Sequence, residues 1–176
     1  MRITEAGLAD AWIVDVEPAT DERGVFARTF CADEFAAHGL PRVFPQCNTS
    51  FNARRGTLRG MHWQAEPKAE GKLIRCTRGA IYDVILDLRR ASRTYLAWRA
   101  FELTADNRRA LYAPAGFAHG FQTLSDGAEV FYQMTESYAP ELARGARWDD
   151  PAFRIDWPIR PPTLSPRDAS FPDWVA

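Results

Sequence analysis

Residues 107–122 read NRRALYAPAGFAHGFQ, and this stretch is the most specific indication of the fold in the sequence. Its first part, RRALYAP at 108–114, is typical of a short strand. PAGF at 114–117 is a turn signal, because proline and glycine favour tight turns. His119 stands just beyond the turn. The stretch therefore predicts a strand that ends in a tight turn with an imidazole close by.

The segments around this stretch indicate more strands, because their apolar residues mostly recur with a period of two. These segments are AWIVDVE at 11–17, VFARTF at 25–30, VFPQCNTSF at 43–51, TLRGMHWQ at 57–64, KLIRCTR at 72–78, AIYDVILDL at 80–88, YLAWRAFEL at 95–103 and AEVFYQMTESY at 128–138. Turn signals separate them, and no room is left for the crossover helices of a parallel sheet. The pattern predicts an all-β sandwich or barrel.

Two short helices are predicted at the periphery of these strands. ADEFAAHG at 32–39 is one, ended by Gly39. The other begins at Ser165 as N-cap, with Pro166 at the first helical position. Residues 1–176 are expected to form a single domain, with residues from about 147 to 176 as a C-terminal segment packed on the barrel. Three tryptophans in that segment favour docking over disorder.

The composition excludes several classes of partner. A net charge of -1 gives no basis for binding nucleic acid or a membrane surface through bulk electrostatics. No stretch is apolar and long enough to span a membrane, and the N-terminus lacks the apolar run of a signal peptide. Three scattered cysteines, with no CxxC pair, are expected to be reduced thiols. The expected compartment is the cytoplasm.

The strand followed by P-x-G-x-x-H at 114–119 resembles the second half of the cupin signature, which implies a cupin-like jelly-roll β-barrel. The first half of that signature supplies H-x-H and a later glutamate, which hold a divalent metal with the last histidine. Here the matching residues are His62-Trp63-Gln64, and Lys72 stands near the glutamate position. A lysine ammonium has no lone pair to donate. No metal site is predicted.

Polar side chains nevertheless occur in or beside strands that should line the barrel. They are Arg59, His62, Lys72, Asp83, His119 and Tyr132. Any one of them could face solvent or serve the structure alone. Together, an imidazole, an ammonium, a phenol and guanidinium groups in one concave site could handle a carbon acid that carries a phosphate tail.

Longer motifs, taken in their order along the chain, give a more specific resemblance. It runs DERGVF, QCN, LRGMHWQ, EGKLIRCTRG, YDVILDLR, PAGFAHGF, YAPE, RWDDPA and DWP, over residues 12 to 168. This order resembles the dTDP-4-dehydrorhamnose 3,5-epimerase family. The resemblance implies a cupin-like homodimer that needs no cofactor. It also implies a nucleotide-sugar substrate, a 4-keto-6-deoxyhexose whose C3 and C5 are inverted through an enolate.

The resemblance also implies roles for individual residues. His62 matches the base, Asp168 its acidic partner, Tyr132 the acid on the opposite face, and Lys72 the cation beside the keto oxygen. The residues that match substrate-binding positions are Arg23, Phe26, Arg28, Gln46, Asn48, Arg59, His119 and Tyr138. Strict alternation would put Arg59 and His62 on opposite faces of a strand. We therefore predict a bulge or twist at Gly60, between them.

Two departures from the family pattern concern nucleotide recognition. Arg28 stands where many members carry a glutamate, and Ser137 replaces the first of two tyrosines. Alternatives therefore stay open: an epimerase acting at C3 or C5 alone, or on a CDP- or GDP-linked sugar. A non-catalytic sugar-nucleotide-binding cupin is a further alternative, disfavoured by the intact set His62, Asp168, Lys72 and Tyr132. A metal-dependent cupin oxygenase is disfavoured by the broken ligand set.

Overall fold

A computed structural model describes residues 1–175. The strands are β1 (Arg2–Glu5), β2 (Trp12–Asp15), β3 (Ala19–Asp21), β4 (Gly24–Phe26), β5 (Gln46–Asn52), β6 (Leu58–Gln64), β7 (Lys72–Arg78), β8 (Ala80–Asp87), β9 (Trp98–Thr104), β10 (Ala110–Ala113), β11 (Phe117–Thr123), β12 (Ala128–Met134) and β13 (Ala143–Gly145). The helices are α1 (Ala32–Ala37), α2 (Pro166–Ala169) and a 3₁₀ turn at Pro140–Leu142. Ala176, the last residue of the predicted C-terminal segment, lies outside the described residues.

Two antiparallel sheets face each other. One has the order β1-β2-β10-β7-β12-β5 and the other the order β13-β6-β11-β8-β9, while β3 and β4 form a separate hairpin. Apolar residues from both sheets form the core between them, among them Ile74, Val130, Ile85 and Phe121. The predicted all-β class and cupin-like jelly roll, with short helices at the periphery, are confirmed.

The outer faces of the two sheets are covered by different segments. Phe35 of α1 and Leu40 pack with Leu73 and Tyr112 on the outside of the six-stranded sheet. On the five-stranded sheet, Phe153, Ile155 and Trp157 of the C-terminal segment pack against core residues of β6, β8 and β11. The indole of Trp157 is buried and donates to the carbonyl of Trp148 at 2.7 Å. This packing brings the end of the chain against β6. None of the helices formed by residues 1–175 is long and apolar enough to cross a membrane.

Most predicted elements lie where expected, within a few residues at their ends. Ser165 accepts a hydrogen bond from the amide of Asp168 at the start of α2, and Gly39 follows α1 with a φ of +71°. The predicted strand at 25–30 is wrong beyond Phe26, where β4 ends. Strand β11 was not predicted: all seven residues are buried, so FAHGFQT shows no alternation. The short strands β1, β3 and β13 were also missed.

Candidate active site

Strands of both sheets contribute side chains to one cavity of about 670 Å³. The predicted site residues that line it are Gln46, Asn48, Arg59, His62, Lys72, His119, Tyr132 and Tyr138. Tyr132 lies on β12 of the six-stranded sheet, whereas His62 lies on β6 of the five-stranded sheet. These two side chains therefore reach the cavity from different sheets.

The predicted irregularity at Gly60 is confirmed, and it explains how Arg59 and His62 share the cavity. Phe121 of β11 pairs with Arg59 and His119 pairs with His62, so β6 carries one more residue than its partner over this interval. Gly60 has a φ of +133°, and a Cβ there would lie 2.5 Å from the Cα of Gly120. Only glycine fits this backbone and this close approach.

His62 and Asp168 form a hydrogen-bonded pair at the wall of the cavity. Nε2 of His62 lies 2.7 Å from Oδ1 of Asp168, and the amide of Gly60 donates to Oδ2 at 3.4 Å. The imidazole is partly exposed, while the carboxylate is buried. Burial alone would raise the pKa of Asp168, but the hydrogen bond and charge of His62 and the Gly60 amide leave it below its ordinary value. Because an ionised carboxylate can only accept, Nε2–H donates the hydrogen bond to Asp168, and Nδ1 is left as the basic nitrogen.

A second histidine–carboxylate pair lies beside the first. His119 pairs with His62 across β11 and β6, and its Nε2 lies 2.7 Å from Oδ1 of the buried Asp83. The His119 and Tyr132 rings meet edge to face, with centroids 6.0 Å apart. Burial and the Asp83 carboxylate raise the pKa of Tyr132 well above its usual value. The phenol therefore keeps its proton at neutral pH.

The ammonium of Lys72 is held inside the cavity wall. Its Nζ lies 3.0 Å from Oε1 of Glu70 and donates to the carbonyl of His62 at 3.4 Å. Both side chains of the ion pair are about nine-tenths buried. The sequence reasoning missed Glu70. Residues i and i+2 of an extended chain share a face, so its spacing from Lys72 was a usable signal.

Polar side chains with fixed positions line the rest of the cavity. Nε of Arg59 donates to Oδ1 of Asn52 at 2.7 Å, and the other guanidinium nitrogens have no hydrogen-bond partner within residues 1–175. The amide oxygen of Gln46 accepts from the backbone of Tyr138 at 2.9 Å, and its nitrogen donates to Asn48 at 3.4 Å. Asn52 was a second residue that sequence reasoning missed.

The position of the absent second histidine is taken by Gln64, whose amide serves the structure. It donates to the carbonyls of Lys68 at 2.6 Å and Ser137 at 3.1 Å, and it accepts from the amide of Ala139 at 2.8 Å. Residues 1–175 contain no group of three or more His, Cys, Asp or Glu side chains placed to hold a metal ion.

The family model for dTDP-4-dehydrorhamnose 3,5-epimerase matches residues 5–175. The chain belongs to this family. It is 48% identical to the dTDP-4-dehydrorhamnose 3,5-epimerase of Methanothermobacter thermautotrophicus over 158 aligned residues. The alignment covers 90% of this chain and 84% of that protein. The family resemblance inferred from the motifs is confirmed, and the chain is a member of an isomerase family that acts on sugar nucleotides.

Similar proteins share the fold, and their names differ in how many carbons of the sugar they invert. The crystal structure from Bacillus anthracis with TDP and PPi bound matches with a TM-score of 0.95, at 40% identity, over 98% of this chain and 99% of that one. A dTDP-4-dehydrorhamnose 3-epimerase from Streptomyces niveus is 40% identical over 169 residues, which cover 96% of this chain and 81% of that protein. Family membership alone therefore leaves the number of inverted carbons open.

Three predicted substrate-binding residues do not reach the cavity within one chain. Arg23 and Phe26 lie on the β3–β4 hairpin, and Phe26 is 80% exposed. Arg28 lies near the N-terminus, where its guanidinium pairs with Glu34 at 2.8 Å.

Proposed function

We propose that this chain is a metal-independent epimerase that inverts C3 and C5 of a 4-keto-6-deoxyhexose linked to a nucleoside diphosphate. The proposed conversion is dTDP-4-dehydro-6-deoxy-D-glucose to dTDP-4-dehydro-L-rhamnose. One observation carries the proposal: the His62–Asp168 pair and the Tyr132 phenol enter a single cavity from different sheets. Inversion needs a base on one face of the carbon and an acid on the other, and two opposed walls supply that arrangement.

His62 acts as the base in this proposal. The C4 ketone acidifies the protons on C3 and C5, because the carbanion formed is an enolate. Nδ1 of His62 takes the proton, and Asp168 stabilises the imidazolium through its bond to Nε2. The proton-bearing carbon must therefore lie near Nδ1, on the open side of the ring.

Lys72 stabilises the enolate oxygen in this proposal. Its ammonium is fixed by Glu70 and by the carbonyl of His62, so it does not reorganise as the negative charge develops. Tyr132 returns a proton to the opposite face of the carbon, and its raised pKa keeps the phenol protonated for this step. His119 lies beside His62 on the five-stranded sheet and packs its ring edge to face against that of Tyr132.

Arg59, Gln46, Asn48 and Tyr138 bind the nucleoside diphosphate in this proposal. A guanidinium with free nitrogens suits a diphosphate because its planar fork matches two oxygens. Gln46 and Asn48 offer amide groups for a base, and Tyr138, an exposed phenol, offers a flat surface for stacking. A cytoplasmic location fits the three free cysteines of the described chain, since thiols stay reduced there.

The activity is tested by incubating the purified protein with 4-keto-6-deoxyglucose linked to dTDP, CDP, GDP or UDP, in deuterated water with a chelator. We expect deuterium at C3 and C5 and the L-rhamno product from the dTDP sugar. Deuterium at C3 alone identifies a 3-epimerase, and faster turnover of another nucleotide corrects the substrate. Binding without exchange identifies a non-catalytic cupin. Loss of activity with the chelator, restored by a divalent ion, overturns metal independence.

We also propose a homodimer in which the β3–β4 hairpin packs against a second copy. All eight residues of the hairpin, 19–26, are exposed, and an isolated two-stranded hairpin is marginally stable in water. Val25 and Phe26 on the hairpin and Phe51 on the edge strand β5 expose apolar surface that a partner would cover. This pairing would bring Arg23 and Phe26 to the partner's cavity.

The homodimer is tested by sedimentation at micromolar concentration. We expect a dimer for the native chain and a shift towards monomer for Phe26→Asp, together with weaker binding of the nucleoside diphosphate. Val43→Asp is the matched control, since Val43 is 71% exposed but lies outside the hairpin. A monomeric native protein overturns the proposal.

A further inference from the structure

Phe171 lies two residues after α2 and contacts the imidazole of His62. Their ring centroids are 5.9 Å apart and their planes meet at 70°, so the rings pack edge to face. The guanidinium of Arg167 lies 5.7 Å from the centroid of the Phe171 ring. This aromatic residue is outside every motif that identified the family and has no role in the proposed chemistry.

The Phe171 ring occupies the space that a side chain at position 145 would need. Gly145 is the last residue of β13 and pairs directly with His62 of β6. A Cβ on Gly145 would overlap three carbons of the Phe171 ring. Gly145 does not have a positive φ, so its backbone would accept alanine. The need for glycine here comes from the ring above it.

Two contacts from one segment then hold the imidazole of His62. Asp168 binds Nε2, and Phe171, three residues later, packs against the ring. A single hydrogen bond fixes one atom but leaves the ring plane free to tilt about it. The aromatic contact restricts that tilt and so fixes the direction of Nδ1, the nitrogen that faces substrate in the proposed function.

We infer that Phe171, seated on Gly145, is a positioning residue that orients His62 for proton abstraction. The inference rests on the proposed function, because it assumes that His62 is the base. It assigns no contact between Phe171 and substrate. Loss of the contact should therefore slow proton abstraction without weakening nucleotide binding.

Two single variants on different elements test this inference. Phe171→Ala removes the ring, and Gly145→Ala displaces it without touching His62. A misplacement of about 1 Å can cost about 100-fold in rate. Since Asp168 still holds Nε2, we expect a fall in kcat of about 10-fold in each variant. KM and the Kd for dTDP should stay unchanged. In the double variant the added methyl meets no ring, so its kcat should equal that of Phe171→Ala alone.

Arg144→Ala is the matched control on β13, because within residues 1–175 that guanidinium donates only to the nearby carbonyls of Glu141 and Ala143. It should keep the native kcat. If Gly145→Ala fails to fold, Phe171→Ala still decides the matter, since Phe171 lies on a partly exposed segment. Native kcat in folded Phe171→Ala overturns the inference, as do losses that multiply in the double variant. Absence of exchange in the native protein would instead overturn the proposed function.

Discussion

His62→Asn should abolish epimerisation and also stop exchange of the C3 and C5 protons with deuterated water. The amide of asparagine cannot accept a proton near neutral pH, so neither enolate can form. General acid–base groups contribute about 10²–10⁴-fold, and the loss should be at least of this size. Proton exchange followed by NMR, with the dTDP-linked 4-keto sugar as substrate, measures it directly.

Two controls separate lost chemistry from lost structure in His62→Asn. The imidazole is 37% exposed, so its replacement should leave the fold and the affinity for dTDP intact. Asp168→Asn should show an intermediate rate, because the base remains but loses the carboxylate that stabilises its charged form. A folded His62→Asn protein that exchanges deuterium at the native rate would show that another group is the base.

Much of the fold could be predicted because side chains alternate between the buried and the exposed face of a strand, which gives apolar residues a period of two. Strand β7 was predicted at both ends, because KLIRCTR at 72–78 carries the pattern over its whole length and Gly79 follows it directly. Strand β11 was missed because both of its faces are buried, so polar and apolar residues do not alternate along it. Strands β1 and β13 are only four and three residues long, too short for a period to emerge.

The candidate site was predictable where chemistry is carried by residue type. Histidine, lysine and tyrosine in strands drew attention by themselves, and the family motifs connected His62 with the distant Asp168. The bulge at Gly60 followed from a geometric conflict between two neighbours that both had to face the cavity. Gly145 and Phe171 could not be found in this way, because an apolar ring above a glycine leaves no pattern along the chain.

The hairpin residues show a different limit. Arg23 and Phe26 were assigned to substrate binding by resemblance, yet within one chain they lie away from the cavity. A motif match assigns residues to a type of site, but it does not show whether they reach the site of their own chain or that of a second copy. Arg28 is engaged by Glu34, so its departure from the family pattern has a local role whether or not it also affects nucleotide choice.

Tyr132→Phe should separate proton removal from inversion. His62 and Lys72 remain, so the enolate still forms and the C3 and C5 protons still exchange with deuterated water. The phenol that returns a proton from the other sheet is gone, so the proton comes back from the face that it left. Exchange should therefore persist while inversion, above all at C5, falls by about 10²–10⁴-fold.

The ratio of exchange to inversion is the decisive measurement for Tyr132, because a general loss of structure would lower both rates together. His119 packs against the phenol and serves as the control for that contact. His119→Asn should not raise the ratio of exchange to inversion, since Tyr132 keeps its hydroxyl in that variant. If Tyr132→Phe inverts C5 as fast as it exchanges the proton, the acid is another group on the same wall. If it loses exchange as well, the phenol takes part in forming the enolate, and the division between the two walls is wrong.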